Sequence, residues 1–438
     1  MDVQRESSMI LKPIYEGNPP STTASVPLSV FDKASYDTHI AVIYAFKSPT
    51  PPNSNLQTGL QKVLAVYREW AGRLGIDDKG RPAILLNDEG VRFVEASADC
   101  ALDQAMPLKP SKDVLNFHPS LKGVEELLQV QLTRFACGSM VLGFSTNHIV
   151  ADGHATSNFL VAWGRACRGL DIGPLPLLDR TIFTPRDPPC VEFEHQRIEF
   201  KSKKIINGHP YPSPNSDYSS DGVIVHKAHF TLEFLTKLKA KASAGRTRPY
   251  STFESLVAHL WRAITKARGL NGFETTQVRI SVNGRQRMNP RVPYEYFGNV
   301  VLWAFAGAKV KELLHEPVQY AAKRIHDAVS KVNDDYFKSF IDFASDEEKM
   351  KDLTNADEES VVLYPNVDVE SWLRFPFYDL NFGGGAPYIF LPSYLPVQGM
   401  LILLPSFIGD GSIDAIVPLF DLKRALSPSK AYATLSTS

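Results

Sequence analysis

The chain has 438 residues, 44% hydrophobic and 22% charged, the values of an ordinary globular protein, which exclude a disordered, collagenous or coiled-coil chain. A chain of this length buries roughly three quarters of its unfolded surface, so neither disulfides nor a metal is needed to hold a core. The 47 Lys and Arg against 48 Asp and Glu leave a formal charge of -1, with no basic excess to attract nucleic acid or an anionic membrane. Cys100, Cys137, Cys167 and Cys190 stand apart with no C-x-x-C pair. That argues against a zinc ribbon or a disulfide scaffold and fits a reducing compartment. No apolar stretch of a signal peptide follows Met1, and the apolar run Met400 to Leu404 is too short to span a bilayer. The expectation is a cytoplasmic protein.

In chain order, residues 55–74 place Leu56, Leu60, Val63, Leu64, Tyr67, Ala71 and Leu74 at helical spacing on one stripe. Residues 127–135 and 140–147 are strand-like runs joined by Cys137-Gly-Ser, a hairpin signal. A helix carrying Phe159, Leu160 and Trp163 follows. Residues 170–222 are rich in proline and lose the apolar pattern, the composition of a linker between domains. Order resumes with a strand over Val223 to Leu232 and a helix over Phe253 to Arg268. A charged stretch at 344–360 reads as a solvated helix or loop, followed by strands at 361–368, 373–379 and 399–406. No fixed-period repeat is visible. The expected class is α+β, with a first domain over 1–190, a linker over 191–222 and a second domain over 223–438. A segment near 375–395 is expected to pack with the first domain.

Several chemistries lack their motif. There is no G-x-x-x-x-G-K-[ST], no G-x-G-x-x-G, no G-x-S-x-G and no H-E-x-x-H, and the 11 histidines show no metal-ligand spacing. What remains is His148-Ile-Val-Ala-Asp152-Gly153, where a strand ends and a helix begins. An imidazole there suits general-base work, because its ordinary pKa of about 6.5 lies near the operating pH. Alone the pattern is unspecific: about half a match is expected by chance, and a structural histidine is the commoner explanation.

Its companions change that weight. Asn283-Gly-Arg-Gln-Arg287-Met-Asn-Pro290, Pro293-Tyr-Glu-Tyr-Phe297-Gly-Asn299 and Asn381-Phe-Gly-Gly-Gly-Ala-Pro387 follow in order, with Trp70-Ala-Gly-Arg-Leu74 and Tyr250-Ser-Thr-Phe-Glu-Ser-Leu-Val-Ala-His-Leu-Trp261 also present. The set resembles the plant BAHD acyltransferase family over nearly the whole chain. The resemblance implies two domains like chloramphenicol acetyltransferase with an active-site channel at their interface. It also implies direct acyl transfer from a coenzyme A thioester to an alcohol or amine, with no permanently bound cofactor and no metal. By the same resemblance His148 is the general base and Asp152 an orienting residue that points away from the substrates and pairs with Arg285. Gly153, Asn381, Phe382, Gly383 and Gly385 are structural, and Ser251, Thr252 and Arg287 lie on the coenzyme A side.

One segment departs from the family's D-F-G-W-G: here it reads Asn381-Phe-Gly-Gly384-Gly385. Loss of the carboxylate puts that motif's ion pair in doubt, and Gly384 in place of tryptophan implies a wider acceptor pocket. Pro27-Leu-Ser-Val-Phe-Asp-Lys33 and Ser371-Trp372-Leu-Arg-Phe-Pro-Phe-Tyr-Asp379 look most like the grass branch that joins hydroxycinnamoyl groups to agmatine, putrescine or tryptamine. A diamine's second charge needs a carboxylate in an apolar channel. Asp32 and Glu370, with Trp372 and Gly384 beside them, are the expected acceptor-side residues, and Asp379 is a third carboxylate. The partners are then an acyl-CoA and an amine, with no nucleic acid and no membrane, and the chain acts as a monomer. An O-acyltransferase acting on an alcohol such as shikimate, and a ligand-binding relative without catalysis, are the alternatives.

Overall fold

The structure is a computed structural model that describes residues 2–105, 111–120, 123–202, 223–355, 363–395 and 397–420. Most of the linker expected at 191–222 lies outside the described residues. The chain divides into two compact units, each an α+β layer structure. The first comprises Met1–Pro185, Val292–Val300 and Phe375–Leu395; the second comprises Arg186–Arg291, Val301–Arg374 and Pro396–Ser438. Sequence reading left Val292–Val300 with the second domain. The pairing of this short stretch with distant chain removes it from there.

The first unit is built on a six-stranded sheet in the order Gln4–Leu11, Val91–Ala98, Leu128–Phe135, Met140–Asn147, His39–Phe46, Ile389–Pro392. Its contacts are antiparallel except between Val91–Ala98 and Leu128–Phe135. The two central strands form the hairpin expected from sequence, and Gly138 takes the left-handed φ of 79° at its turn. Two helices, Asn53–Leu64 and Gly153–Cys167, pack together in this unit. Buried Trp163 donates from its indole Nε1 to Leu56 O at 2.9 Å.

The first helix stops ten residues short of the sequence expectation. Beyond Leu64 come a short 3-10 turn at Arg68–Ala71 and a strand at Arg73–Ile76 that pairs with Pro82–Leu85. Gly72 decides the boundary: a Cβ there would lie 2.2 Å from Leu85 O, so the backbone is clamped to its partner strand. Strand pairing overrides helical periodicity here. The strand expected at 373–379 is also absent. Pro376 has no amide to give a ladder, and Phe377 N and Asp379 N instead close turns onto Phe375 O and Pro376 O.

The second unit has its own six-stranded sheet, ordered Val223–Phe230, Ile413–Phe420, Met400–Pro405, Val367–Ser371, Thr275–Asn283, Val301–Lys309. Helix Thr252–Ala267 is its core element, with Leu256, Val257, Leu260, Trp261 and Ile264 fully buried. Its start is a capping box, in which Ser251 and Glu254 each satisfy the other's backbone amide. Of the charged stretch at 344–360, a short helix Glu347–Met350 and a strand Leu353–Asn355 are described. No helix of the described residues is long and apolar enough to cross a membrane.

Candidate active site

Strand Met140–Asn147 ends at the segment that carries His148. Asn147 turns the chain: its Oδ1 accepts from Ile149 N at 3.0 Å, and its Nδ2 donates to Asp37 Oδ1 at 2.8 Å. His148 N still donates to Thr38 O at 2.9 Å, a last rung beside the neighbouring strand. Four residues later Asp152 caps helix Gly153–Cys167, accepting from Ala155 N at 3.0 Å through Oδ1, while its Oδ2 accepts from Val300 N at 3.1 Å. A carboxylate at a helix N-cap satisfies amides that would otherwise be orphaned and complements the helix dipole. Gly153 is required by packing, because a Cβ there would meet the Phe375 ring at 2.6 Å.

The His148 imidazole is half-buried, with Nδ1 2.8 Å from Ser35 Oγ and the Tyr36 ring edge-on at 5.9 Å between centroids. Burial pulls its pKa below the ordinary value, against the opposing charges of Asp152 and Asp32 and the side chain of Asn299. A ring whose pKa is lowered from 6.5 is mostly neutral at pH 7 and so has a lone pair to accept a proton.

Behind the loop lies a polar network that sequence reading missed. Asn299 Nδ2 faces three acceptors: Asp32 Oδ1 at 2.9 Å, His148 O at 3.0 Å and Ile149 O at 3.0 Å. Arg180 donates through Nη2 to Val150 O at 2.7 Å and pairs with Asp32 through Nη1. The main-chain carbonyls of residues 148, 149 and 150 are thus all held by side chains from elsewhere in the unit. Burial alone would depress the Arg180 guanidinium, but the charges of Asp32, Tyr296 and Glu69 outweigh it and raise its pKa. Glu69 is itself fully buried, and burial pushes its carboxyl above the ordinary range against the pull of Arg180.

Asp32 therefore corrects an expectation. It is 0% exposed, its Oδ1 serves Asn299, and its Oδ2 serves Ser29 N at 2.8 Å and Arg180. Every lone pair aimed at a partner is committed, so this carboxylate is not offered to a substrate cation. Ser29-x-x-Asp32 has the spacing of a capping box, and both reciprocal bonds are present. That spacing was the available signal.

Asn381 closes its own loop, its Oδ1 accepting from Gly383 N at 2.7 Å and Gly385 N at 3.1 Å. Phe382 is buried against Trp163 at 4.8 Å and Phe46 at 5.4 Å. Gly383 and Gly385 have φ of 119° and 107°, conformations that side chains rarely adopt. Gly384 is exposed, and a Cβ there would lie 2.0 Å from Pro49 O. Backbone closes this position, so the missing tryptophan does not leave the widened pocket that sequence reading expected. Asp379 is exposed at the rim of a pocket of about 250 Å³ that Asn158, Arg165, Tyr294 and Glu295 also line.

The other residues singled out from sequence fall in the second unit. Arg285 is buried, with its amide donating to Asn283 Oδ1 at 2.9 Å. Ser251 is the helix cap already described, and Thr252 is the first helical residue. Arg287 turns inward, donating through Nη1 to Val329 O and Val332 O, both at 2.8 Å. It closes the C-terminal end of helix Val318–Lys331. Glu370 and Trp372 lie at the end of strand Val367–Ser371, half-buried, and Trp372 N donates to Leu403 O at 2.9 Å. Among the described residues no cluster of His, Cys, Asp and Glu could hold a metal ion.

The sequence and fold have known counterparts. The chain is 55% identical over 431 residues to agmatine coumaroyltransferase-1 of Hordeum vulgare, covering 96% of this chain and 97% of that one. It is 47% identical over 445 residues to putrescine hydroxycinnamoyltransferase of Oryza sativa subsp. japonica, covering 96% and 97%. Among solved structures, vinorine synthase superposes with a TM-score of 0.75 at 22% identity, covering 100% of this chain and 99% of that one, a likeness of fold. The model of the Transferase family matches residues 3–423. With that match spanning both units and the His148–Asp152 segment inside it, the chain belongs to the Transferase family, the BAHD acyltransferases.

Proposed function

We propose that this protein transfers a hydroxycinnamoyl group, such as p-coumaroyl, from its coenzyme A thioester to a primary amine such as agmatine or putrescine, giving an amide and free coenzyme A. The acceptor class is supported by the activities named for the relatives above. The chemistry rests on one observation: the His148 imidazole stands on a loop whose three carbonyls are each tied down, where burial favours its neutral form.

In this reading His148 removes a proton as the amine nitrogen attacks the thioester carbonyl. The tetrahedral intermediate collapses and expels the coenzyme A thiolate, so that the acyl group passes directly between substrates. A free aliphatic amine with a pKa of about 10.4 is only about a thousandth neutral near pH 7.4, so the enzyme must select or create the neutral form. Holding both substrates in place supplies much of the acceleration, and the base contributes about 10²–10⁴-fold. Asp152 acts by fixing the loop, and the chain works as a cytosolic monomer.

Thiol release with p-coumaroyl-CoA and a panel of agmatine, putrescine, tryptamine and shikimate tests the reading. Agmatine or putrescine is expected to be turned over fastest, and His148→Ala to abolish turnover while leaving folding intact. Faster turnover of shikimate would overturn the acceptor class. More than a tenth of wild-type kcat in His148→Ala would overturn the base assignment.

A further inference from the structure

A histidine acts as a base only through a nitrogen that carries a lone pair, and in a neutral ring the proton on one nitrogen leaves the other free. The ring makes a side-chain hydrogen bond at Nδ1, with Ser35 Oγ at 2.8 Å. That contact has two chemically distinct forms. A Ser35 hydroxyl that donates to Nδ1 puts the ring proton on Nε2 and blocks it. A hydroxyl that accepts from Nδ1–H leaves Nε2 with its lone pair.

The surroundings choose between them. Ser35 Oγ also lies 3.3 Å from His148 O and 3.4 Å from Asn299 Oδ1, two carbonyl-type oxygens that can only accept. The orientation of the Asn299 amide is fixed independently. Its Nδ2 must face Asp32 Oδ1 and the two main-chain carbonyls of the loop, and flipping it would set an oxygen against three acceptors. Oδ1 is therefore turned toward Ser35. Asn299 is 2% exposed, and Ser35 Oγ and the His148 ring both face it. A buried carbonyl without a donor costs about 1–3 kcal/mol. A Ser35 proton given to this oxygen or to His148 O leaves a lone pair on Oγ for Nδ1–H, and no choice of acceptor among these oxygens lets the ring carry its proton on Nε2 without cost.

We propose that Ser35 sets the tautomer of His148, its Oγ accepting the Nδ1–H bond so that Nε2 keeps the lone pair that takes the amine proton. The orientation is handed along from Arg180 and Asp32 to Asn299, from Asn299 to Ser35, and from Ser35 to the ring. Ser35 is a positioning residue, and its catalytic consequence rests on the reading of His148 as the base. A hydroxyl in this position, unlike a carboxylate, adds no charge that would hold the ring protonated.

The test joins ring ¹⁵N chemical shifts of histidine-labelled protein with steady-state kinetics for agmatine and p-coumaroyl-CoA. His148→Gln assigns the His148 signals by their loss. Wild type is expected to show a protonated Nδ1 and an unprotonated Nε2. In Ser35→Ala the two tautomers should mix and kcat should fall about 10- to 100-fold, within the contribution of the base itself, with both KM values moving less than about threefold. Ser35→Thr, which keeps the hydroxyl, should recover most of kcat and the wild-type shifts. An unprotonated Nδ1 in wild type, or an Ser35→Ala enzyme with wild-type kcat, would overturn the proposal. The base assignment fails separately: an active His148→Ala enzyme removes it, whatever tautomer the shifts report.

Discussion

The loop at His148 leads into helix Gly153–Cys167, the loop at Asn381 lies against Gly164 of the same helix, and the two are held in opposite ways. Three carbonyls of the His148 loop are bound by Asn299 and Arg180, and those two are anchored on Asp32. The Asn381 loop is closed by its own side chain, which takes the Gly383 and Gly385 amides, and is seated by Phe382. A loop braced from a distance is positioned by the whole unit but transmits damage from afar. A loop closed on itself is robust and local. Chemistry that needs a ring placed to within a fraction of an ångström favours the first kind of support.

The largest effect should come from cutting the distant brace. Asp32→Ala removes the charge partner of a fully buried guanidinium and the anchor of Asn299. It should cost about 3–5 kcal/mol of stability and lower kcat in the protein that remains folded. Chemical denaturation monitored with activity measures both. A variant of wild-type stability would show that the network does not support the loop. Asp32→Asn, which keeps an acceptor oxygen but loses the charge, should fall between Ala and wild type.

This network also marks where sequence reading ran out. The hairpin over 128–147 and helix Gly153–Cys167 were legible because their signals are local, alternation, a Gly turn and helical spacing, whereas His148 and Asp152 gained weight only from the companion motifs. Asp32 and Asn299 are 267 residues apart and their bond is buried. No periodicity or spacing encodes such a pairing. Arg180 lay in the proline-rich stretch that read as linker, and Glu69 lay inside what read as a continuous amphipathic helix. Asp32 was expected to meet the second charge of a diamine, on the ground that a buried cation needs a carboxylate. The cation turned out to be Arg180 of the protein itself.

The second test uses the group that titrates in one loop and has no counterpart in the other. Burial lowers the His148 pKa below 6.5, so the ring is a competent base above that value and is lost as it protonates on acidification. At saturating agmatine, kcat should be flat from pH 7 to 9 and fall with a midpoint below pH 6.5. Over pH 7 to 9, kcat/KM should rise about tenfold per unit, because the neutral fraction of an amine with a pKa of about 10.4 does so. A kcat midpoint above 6.5 would mean that the carboxylates near the ring outweigh its burial. Asn381→Asp should leave the profile unchanged, since that carboxyl would sit outside the His148 network.

The smallest effect is expected at Asn381 itself, and it decides whether the carboxylate usual in this motif is missed. Two backbone amides point at Asn381 Oδ1 from glycines in left-handed conformations, and one of the two bonds is exposed. An amide oxygen and a carboxylate oxygen accept such bonds in the same place. The charged form should therefore add little at a site where water screens it. Asn381→Ala removes the acceptor and should cost about 1 kcal/mol, the net worth of hydrogen bonds of this kind. Asn381→Asp should stay within about 0.5 kcal/mol of wild type, a surface-like substitution away from any buried network. Urea denaturation of both variants gives the comparison. A gain of 2 kcal/mol or more in Asn381→Asp would reveal a cation waiting for the carboxylate, and this loop too would then be braced from a distance.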